Sequence, residues 1–135
     1  MNSRAPAAPS VSAALYDATR RLRTAGVPGP RRDARLLLGD AMGVHPALLD
    51  PGAVVTPLAA FQEMIRRREA REPVSRIVGR REFWSLPFSL SGAVLDPRPD
   101  SETIVSEAVS SFGGCLPPRR ILDLGTGSGC LVCAL

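Results

Sequence analysis

Ile121-Leu122-Asp123-Leu124-Gly125-Thr126-Gly127-Ser128-Gly129 is the stretch on which the fold turns. Its first four residues are a short apolar run suited to a buried parallel strand. Cys130 to Leu135 then read as the first turns of an apolar helix. Glycines between a strand and a helix let the backbone turn tightly and let a ligand approach without meeting a side-chain carbon. The helix start adds unpaired amides and the favourable end of the dipole.

The acidic residue closing the strand, Asp123, suits a ligand carrying ammonium or hydroxyl groups and suits a phosphate less well. The spacing is G-x-G-x-G, not the G-x-G-x-x-G of the dinucleotide fingerprint, and there is no lysine for a P-loop. On spacing alone S-adenosyl-L-methionine is favoured over a dinucleotide. A glycine-rich turn with no ligand is the plain alternative.

Working towards the N-terminus, Pro117-Pro118 bridge back to a helix with Ile104, Val105, Ala108, Val109 and Phe112 on its buried face. Ser101 or Asp100 caps that helix and Gly113-Gly114 end it. Before it, Pro97-Arg98-Pro99 hold the chain extended. Phe83, Trp84, Leu86, Phe88 and Leu90 read as a hairpin with Pro87 at a turn or edge. Taken alone, these two segments are no more than a hairpin, a turn and an N-cap.

The first half of the chain is helical. Val11, Ala14, Leu15, Ala18, Leu22 and Ala25 form one stripe, with Ser10 as N-cap and Gly26 as the residue past the end. A second helix fits Arg31 to Met42, burying Ala34, Leu37, Leu38 and Ala41, and Gly43 ends it. A short helical turn fits Pro46 to Leu49. A third helix starts at Thr56-Pro57, with the threonine capping and Glu63 pairing with Arg67 one turn on. These short helices bury little singly, so residues 10–71 read as a small bundle packed on itself.

Arg81-Glu82-Phe83-Trp84-Ser85-Leu86-Pro87-Phe88, Leu95-Asp96-Pro97-Arg98-Pro99-Asp100-Ser101-Glu102 and Ile121 to Gly129 together resemble the release-factor glutamine methyltransferases, the bacterial PrmC proteins once labelled HemK. Gly26-Val27 through Asp33-Ala34-Arg35-Leu36-Leu37-Leu38 is similar to that family's helical domain. The resemblance runs from about residue 12 to the end. It implies an α/β fold: a small N-terminal helical bundle, a β-hairpin linker and the truncated start of a Rossmann-like S-adenosylmethionine-dependent methyltransferase domain. The boundaries expected are a disordered tail over 1–9, a helical substrate-docking domain over 10–71, a hairpin linker over 72–96 and the methyltransferase start over 97–135.

The activity implied is methyl transfer from S-adenosyl-L-methionine to the glutamine side-chain amide in the Gly-Gly-Gln motif of peptide-chain release factors. Gly125, Thr126, Gly127, Ser128 and Gly129 would form the cofactor loop with Asp123 beside the methionine part, and Arg98 and Glu102 would sit by the pocket. Pro-Asp-Ser-Glu after the Pro-Arg pair favours the release-factor branch over the ribosomal-protein branch. Asp96 and Ser101 depart from the commoner aliphatic residue and threonine. The family's Asn-Pro-Pro-Tyr, which holds the substrate amide, does not occur in these 135 residues. No catalytic residue is therefore assigned, and the chain by itself is expected to be inactive, its single parallel strand lacking neighbours.

Size and composition agree with one modest domain or one small domain plus part of another: 44% hydrophobic and 22% charged, with 12 glycines and 13 prolines. All 17 basic residues are arginine, for a net charge of +4, a weak pull towards anionic partners. Arg66-Arg67-Arg68 with Arg71 read as a solvated helix face, with an acidic partner or RNA as the alternative. Cys130 and Cys133 read as helix packing rather than redox or zinc chemistry, and His45 as a surface or turn residue. No metal, no membrane contact, no sequence-specific nucleic-acid binding, a monomeric state and a cytoplasmic location are expected. The alternatives in function are a non-catalytic module that binds release factors and, disfavoured by the spacing, a dinucleotide-dependent oxidoreductase.

Overall fold

A computed structural model describes residues 8–91, 94–112 and 120–135. Its contacts divide the chain into two units, Met1–Val78 and Gly79–Leu135. Of the tail expected over 1–9, residues 1–7 lie outside the described residues. So do Gly113-Gly114 and Pro117-Pro118, the expected helix end and bridge.

The first unit consists of α1 (Val11–Thr24), α2 (Pro30–Met42), α3 (Leu58–Glu69) and α4 (Val74–Val78). Ser10 caps α1, its side chain accepting the Ala13 N–H at 3.3 Å. At the other end Val27 N–H reaches the Leu22 carbonyl and Gly26 N–H the Arg23 carbonyl, both at 2.9 Å. That double closure needs a left-handed residue at Gly26, where φ is 67°. α2 starts with Pro30 in its first turn and ends at Gly43, also left-handed. His45 caps a 3-10 turn over Pro46–Leu48 by accepting the Ala47 N–H on Nδ1 at 3.2 Å.

Two local expectations about α3 are corrected. The helix begins at Leu58 with Pro57 in the cap position and no side-chain cap bond, so Thr56 does not cap it. Glu63 pairs with Arg66 at 2.6 Å, not with Arg67. Arg67 turns instead to Glu72, its Nε donating to Oε2 at 2.8 Å, because the chain reverses through a left-handed Arg71 (φ 70°) and brings Glu72 back over the helix end.

Leu22, Leu37, Leu38, Ala34 and Val55 are fully buried at the centre of this unit, joined by Val11, Phe61 and Ile65. Each large aliphatic side chain so placed contributes about 1.5–3 kcal/mol. The segment between the 3-10 turn and α3 completes the core in a way no periodicity announces. Val11 N–H donates to the Ala53 carbonyl at 2.8 Å and Val55 N–H to the Pro9 carbonyl at 3.0 Å. These bonds hold Leu49 and Val55 against the bundle.

The second unit opens with an antiparallel hairpin, β1 (Arg80–Phe83) and β2 (Leu86–Ser89), paired Phe83 to Leu86, Glu82 to Pro87 and Arg81 to Phe88. Trp84 and Ser85 form the two-residue turn with φ of 50° and 60°, the mirror-image geometry that matches strand twist. Hydrogen-bonded pairs alternate, so Pro87 falls at a non-bonded position where its missing N–H is not needed. A 3-10 turn over Pro99–Ser101 runs directly into α5 (Glu102–Phe112), in place of the expected side-chain cap. α6 is short, Cys130–Ala134.

Phe83, Val105 and Cys130 form the small core here, with the Phe83 and Phe88 rings edge-on at 6.4 Å. The expected buried face of α5 is therefore reduced to Val105, and Ile104, Val109 and Phe112 are about half exposed. The expected strand at Ile121–Leu124 is not formed. Leu122 and Leu124 are 82% and 84% exposed, and β1 and β2 pair only with each other. A strand needs a neighbour to take its backbone hydrogen bonds, and none lies beside it among the described residues.

Candidate functional site

Backbone conformation dictates the glycine loop. Gly125, Gly127 and Gly129 have φ of 76°, 55° and 75°, a region that side chains with a β-carbon rarely adopt. A β-carbon on Gly125 would meet nothing within 4 Å, so the dihedral and not the space requires glycine there. Gly129 N–H donates to the Thr126 carbonyl at 2.8 Å and Cys133 N–H to the Gly129 carbonyl at 3.0 Å, closing the turn into α6. With only five residues, α6 lends the loop little dipole. Gly125, Thr126 and Gly127 are exposed, and Ser128 and Gly129 are half-buried.

Asp123 sits at the head of this loop. Its Oδ2 is shut off from solvent and has no hydrogen-bond partner among the described residues. An unpaired buried acceptor costs about 1–3 kcal/mol, which a donor from a bound ligand would offset. The residues present thus fit a group that brings ammonium or hydroxyl donors to a carboxylate beside a small-residue cradle.

The other two pocket candidates are placed differently. Glu102 stands at the start of α5, and its Oε1 accepts the Trp84 N–H at 3.0 Å. It fastens the hairpin turn to the helix. Arg98 is exposed ahead of the 3-10 turn. No hydrogen bond or ion pair joins Arg98 or Glu102 to Asp123 or the glycine loop among the described residues. What does link the hairpin, α5 and α6 is the shared core of Phe83, Val105 and Cys130.

Asp96, the odd residue of its segment, is explained by Arg81, whose Nη1 lies 2.7 Å from Asp96 Oδ2. The pair ties the hairpin to the segment leading into Arg98. Sequence spacing carries no sign of this pairing across fifteen positions, nor of the Glu102 contact with Trp84. Both thiols of the C-x-x-C are free. Cys130 is buried as expected, whereas Cys133 is exposed. No group of three His, Cys, Asp or Glu assembles among the described residues, and no described helix is long and apolar enough to cross a membrane.

The arginine run on α3 is bound up in ion pairs. Arg66 is held by Glu63, Arg67 by Glu72 and Arg68 by Asp33 at 2.8 Å. Hydrogen bonds from Arg67 hold the Glu72 carboxyl below the usual carboxylate range, and those from Arg21 do the same for Glu69.

Comparison with known proteins gives a consistent picture. Residues 13–79 match the family described as the PrmC N-terminal domain. A release factor glutamine methyltransferase of Rhodospirillum rubrum is 53% identical over 119 residues, covering 85% of this chain and 36% of the relative. Proteins of the same name from Bradyrhizobium diazoefficiens and Agrobacterium fabrum are 42% and 43% identical, each alignment covering 93% of this chain and 44% or 46% of the relative. The chain spans less than half the length of these curated relatives. Over residues 13–79 the chain is similar to the PrmC N-terminal domain, and over most of its length it is similar to these proteins named release factor glutamine methyltransferase.

Proposed function

We propose, from those similarities, that the complete protein transfers a methyl group from S-adenosyl-L-methionine to the glutamine side-chain amide in the Gly-Gly-Gln motif of peptide-chain release factors. The observation that carries this reading is the solvent-excluded Oδ2 of Asp123, without a hydrogen-bond partner among the described residues, heading a loop of three left-handed glycines. In this reading Asp123 accepts hydrogen bonds from the ammonium or hydroxyl groups of the cofactor. Gly125, Thr126, Gly127, Ser128 and Gly129 give it close backbone approach. When bound, the cofactor supplies an electrophilic methyl group. An amide nitrogen is a poor nucleophile because its lone pair is delocalised, so the protein's work is to hold that nitrogen in line.

In this reading residues 10–78, with α4 and Ile77 packed into the first core, serve as the docking domain, the hairpin and the segment after it over 79–96 as a linker, and 97–135 as the start of the Rossmann-like domain. Arg98 and Glu102 border the pocket, Glu102 through its hold on the Trp84 turn. The protein acts as a cytoplasmic monomer without sequence-specific nucleic-acid binding. The 135 residues alone are inactive, because the Asn-Pro-Pro-Tyr expected to grip the substrate amide is not among them.

A second reading concerns the 135 residues by themselves: a module that binds release factors without chemistry. The continuous core of the first unit favours it.

Incubating the complete protein with S-adenosylmethionine and a release factor, followed by mass spectrometry of the factor's peptides, tests the reading. One added methyl on the Gly-Gly-Gln glutamine is expected. A methyl placed elsewhere, or none from a folded protein that binds S-adenosylhomocysteine, overturns it.

A further inference from the structure

Some arginines of this chain are neutralised by a carboxylate and others are not. Arg21, Arg66, Arg67, Arg68 and Arg81 are each held by a carboxylate. Arg23, Arg31 and Arg35 are not joined to any carboxylate among the described residues. These three line one groove of about 440 Å³ between α1 and α2. Arg31 and Arg35 are one turn apart on α2, and Arg23 faces them from α1 in the same stripe as Tyr16 and Arg20. Arg20 is held by Asp17 at 2.8 Å.

Among the described residues no acidic side chain lines the groove, and Val11, Leu15 and Leu49 contribute apolar surface to it. Tyr16 is 76% exposed at its edge. Three guanidiniums left unneutralised in one groove repel one another and attract a carboxylate-bearing ligand, which they can grip in forked geometry. The apolar lining adds room for aliphatic side chains. A single-stranded nucleic acid would call for several aromatic platforms along a basic track, and this groove offers one tyrosine.

We infer that the α1–α2 groove receives an acidic segment of the protein substrate, with Arg23, Arg31 and Arg35 as the anchoring charges. This rests on the reading of the chain as a protein methyltransferase. It adds the surface on which the substrate docks and the chemistry that the docked segment must carry.

The test uses the complete protein as wild type, as Arg31→Glu/Arg35→Glu, as the milder Arg31→Gln/Arg35→Gln, and as Arg66→Gln, a control outside the groove. Steady-state methylation of a release factor, calorimetric binding of S-adenosylhomocysteine and binding of a poly(U) oligonucleotide are measured for each. The charge-reversed pair is expected to raise KM for the factor about tenfold or more, to weaken its salt dependence and to leave S-adenosylhomocysteine binding unchanged. The glutamine pair moves KM the same way by less, and the control does not move it.

An unchanged KM in the charge-reversed pair overturns the groove while leaving the activity standing. So does an unchanged KM accompanied by loss of poly(U) binding, which assigns the groove to nucleic acid. A wild-type protein that binds S-adenosylhomocysteine but methylates no release factor overturns the parent reading, and this inference with it.

Discussion

Leu37 and Leu38 in α2 are completely buried, while Leu122 and Leu124 ahead of the glycine loop are more than four-fifths exposed. The residue type is the same and the surroundings are not. In the first unit thirteen buried residues form one continuous core, whereas the second gathers three among the described residues. A helix satisfies its own backbone and needs only a face to pack on, so four helices and one braced loop close the first unit. A parallel strand needs hydrogen-bonding neighbours on its edges and cover on both faces, and the described residues of the second unit offer Ile121–Leu124 neither. Burial is thus a property of what stands opposite a side chain. The glycine loop keeps its backbone geometry because that geometry is local.

The contrast can be broken most severely in the first core. Leu38→Ala is expected to cost the 135-residue chain about 2–5 kcal/mol in urea unfolding. Leu122→Ala should stay within about 0.5 kcal/mol of wild type. Equal losses at the two leucines would erase the distinction.

Glycines sharpen the same contrast at a smaller scale. A β-carbon on Gly39 would lie 2.9 Å from the Val44 carbonyl oxygen and 3.0 Å from Pro46 Cγ. Gly39→Ala should therefore cost about 1–3 kcal/mol, measured by chemical denaturation. Gly125→Ala meets no neighbour and should cost only its left-handed dihedral, about 1–2 kcal/mol.

Inside the second unit, Glu102→Ala releases the Trp84 N–H. Trp84 is the sole tryptophan, so its fluorescence should lose anisotropy while the helical circular dichroism of the first unit is unchanged. A turn held by Glu102 only incidentally would show no such change.

The smallest effect is on pH dependence. Hydrogen bonds from Arg21 and Arg67 hold Glu69 and Glu72 below the ordinary carboxylate value of 4.5. In that range the native state binds fewer protons than the unfolded state. The stabilisation is present above pH 4.5 and is lost as pH falls through the lowered values. A denaturation midpoint that declines below pH 4.5, and declines less in Glu69→Gln, is the expected outcome.

How much of this was legible in the sequence follows the same physics. The stripe from Val11 to Leu22 and the Gly26 and Gly43 helix ends are set by local periodicity and dihedral preference, and the spacing revealed them; the hairpin was legible too, but its turn falls at Trp84-Ser85, with Pro87 inside β2. The bracing of Val55 by Pro9 and of Asp96 by Arg81 joins residues far apart in sequence, so no window could display it. Thr56 failed as a cap, and Glu63 chose Arg66, because the path of the chain at either end of α3 outweighed pairwise spacing. For the site, the loop's glycines were readable as residues needing positive φ. That the Asp123 oxygen is enclosed without a partner among the described residues is a fact that only three dimensions disclose.

Amide hydrogen exchange on the 135-residue chain, read by mass spectrometry of overlapping peptides, tests most directly the claim that a self-sufficient helical unit precedes a site whose strand needs partners. Slow exchange across α1, α2 and α3, with rapid exchange at Ile121–Leu124, is the predicted result. Protection at Ile121–Leu124 equal to that of α2 would contradict it.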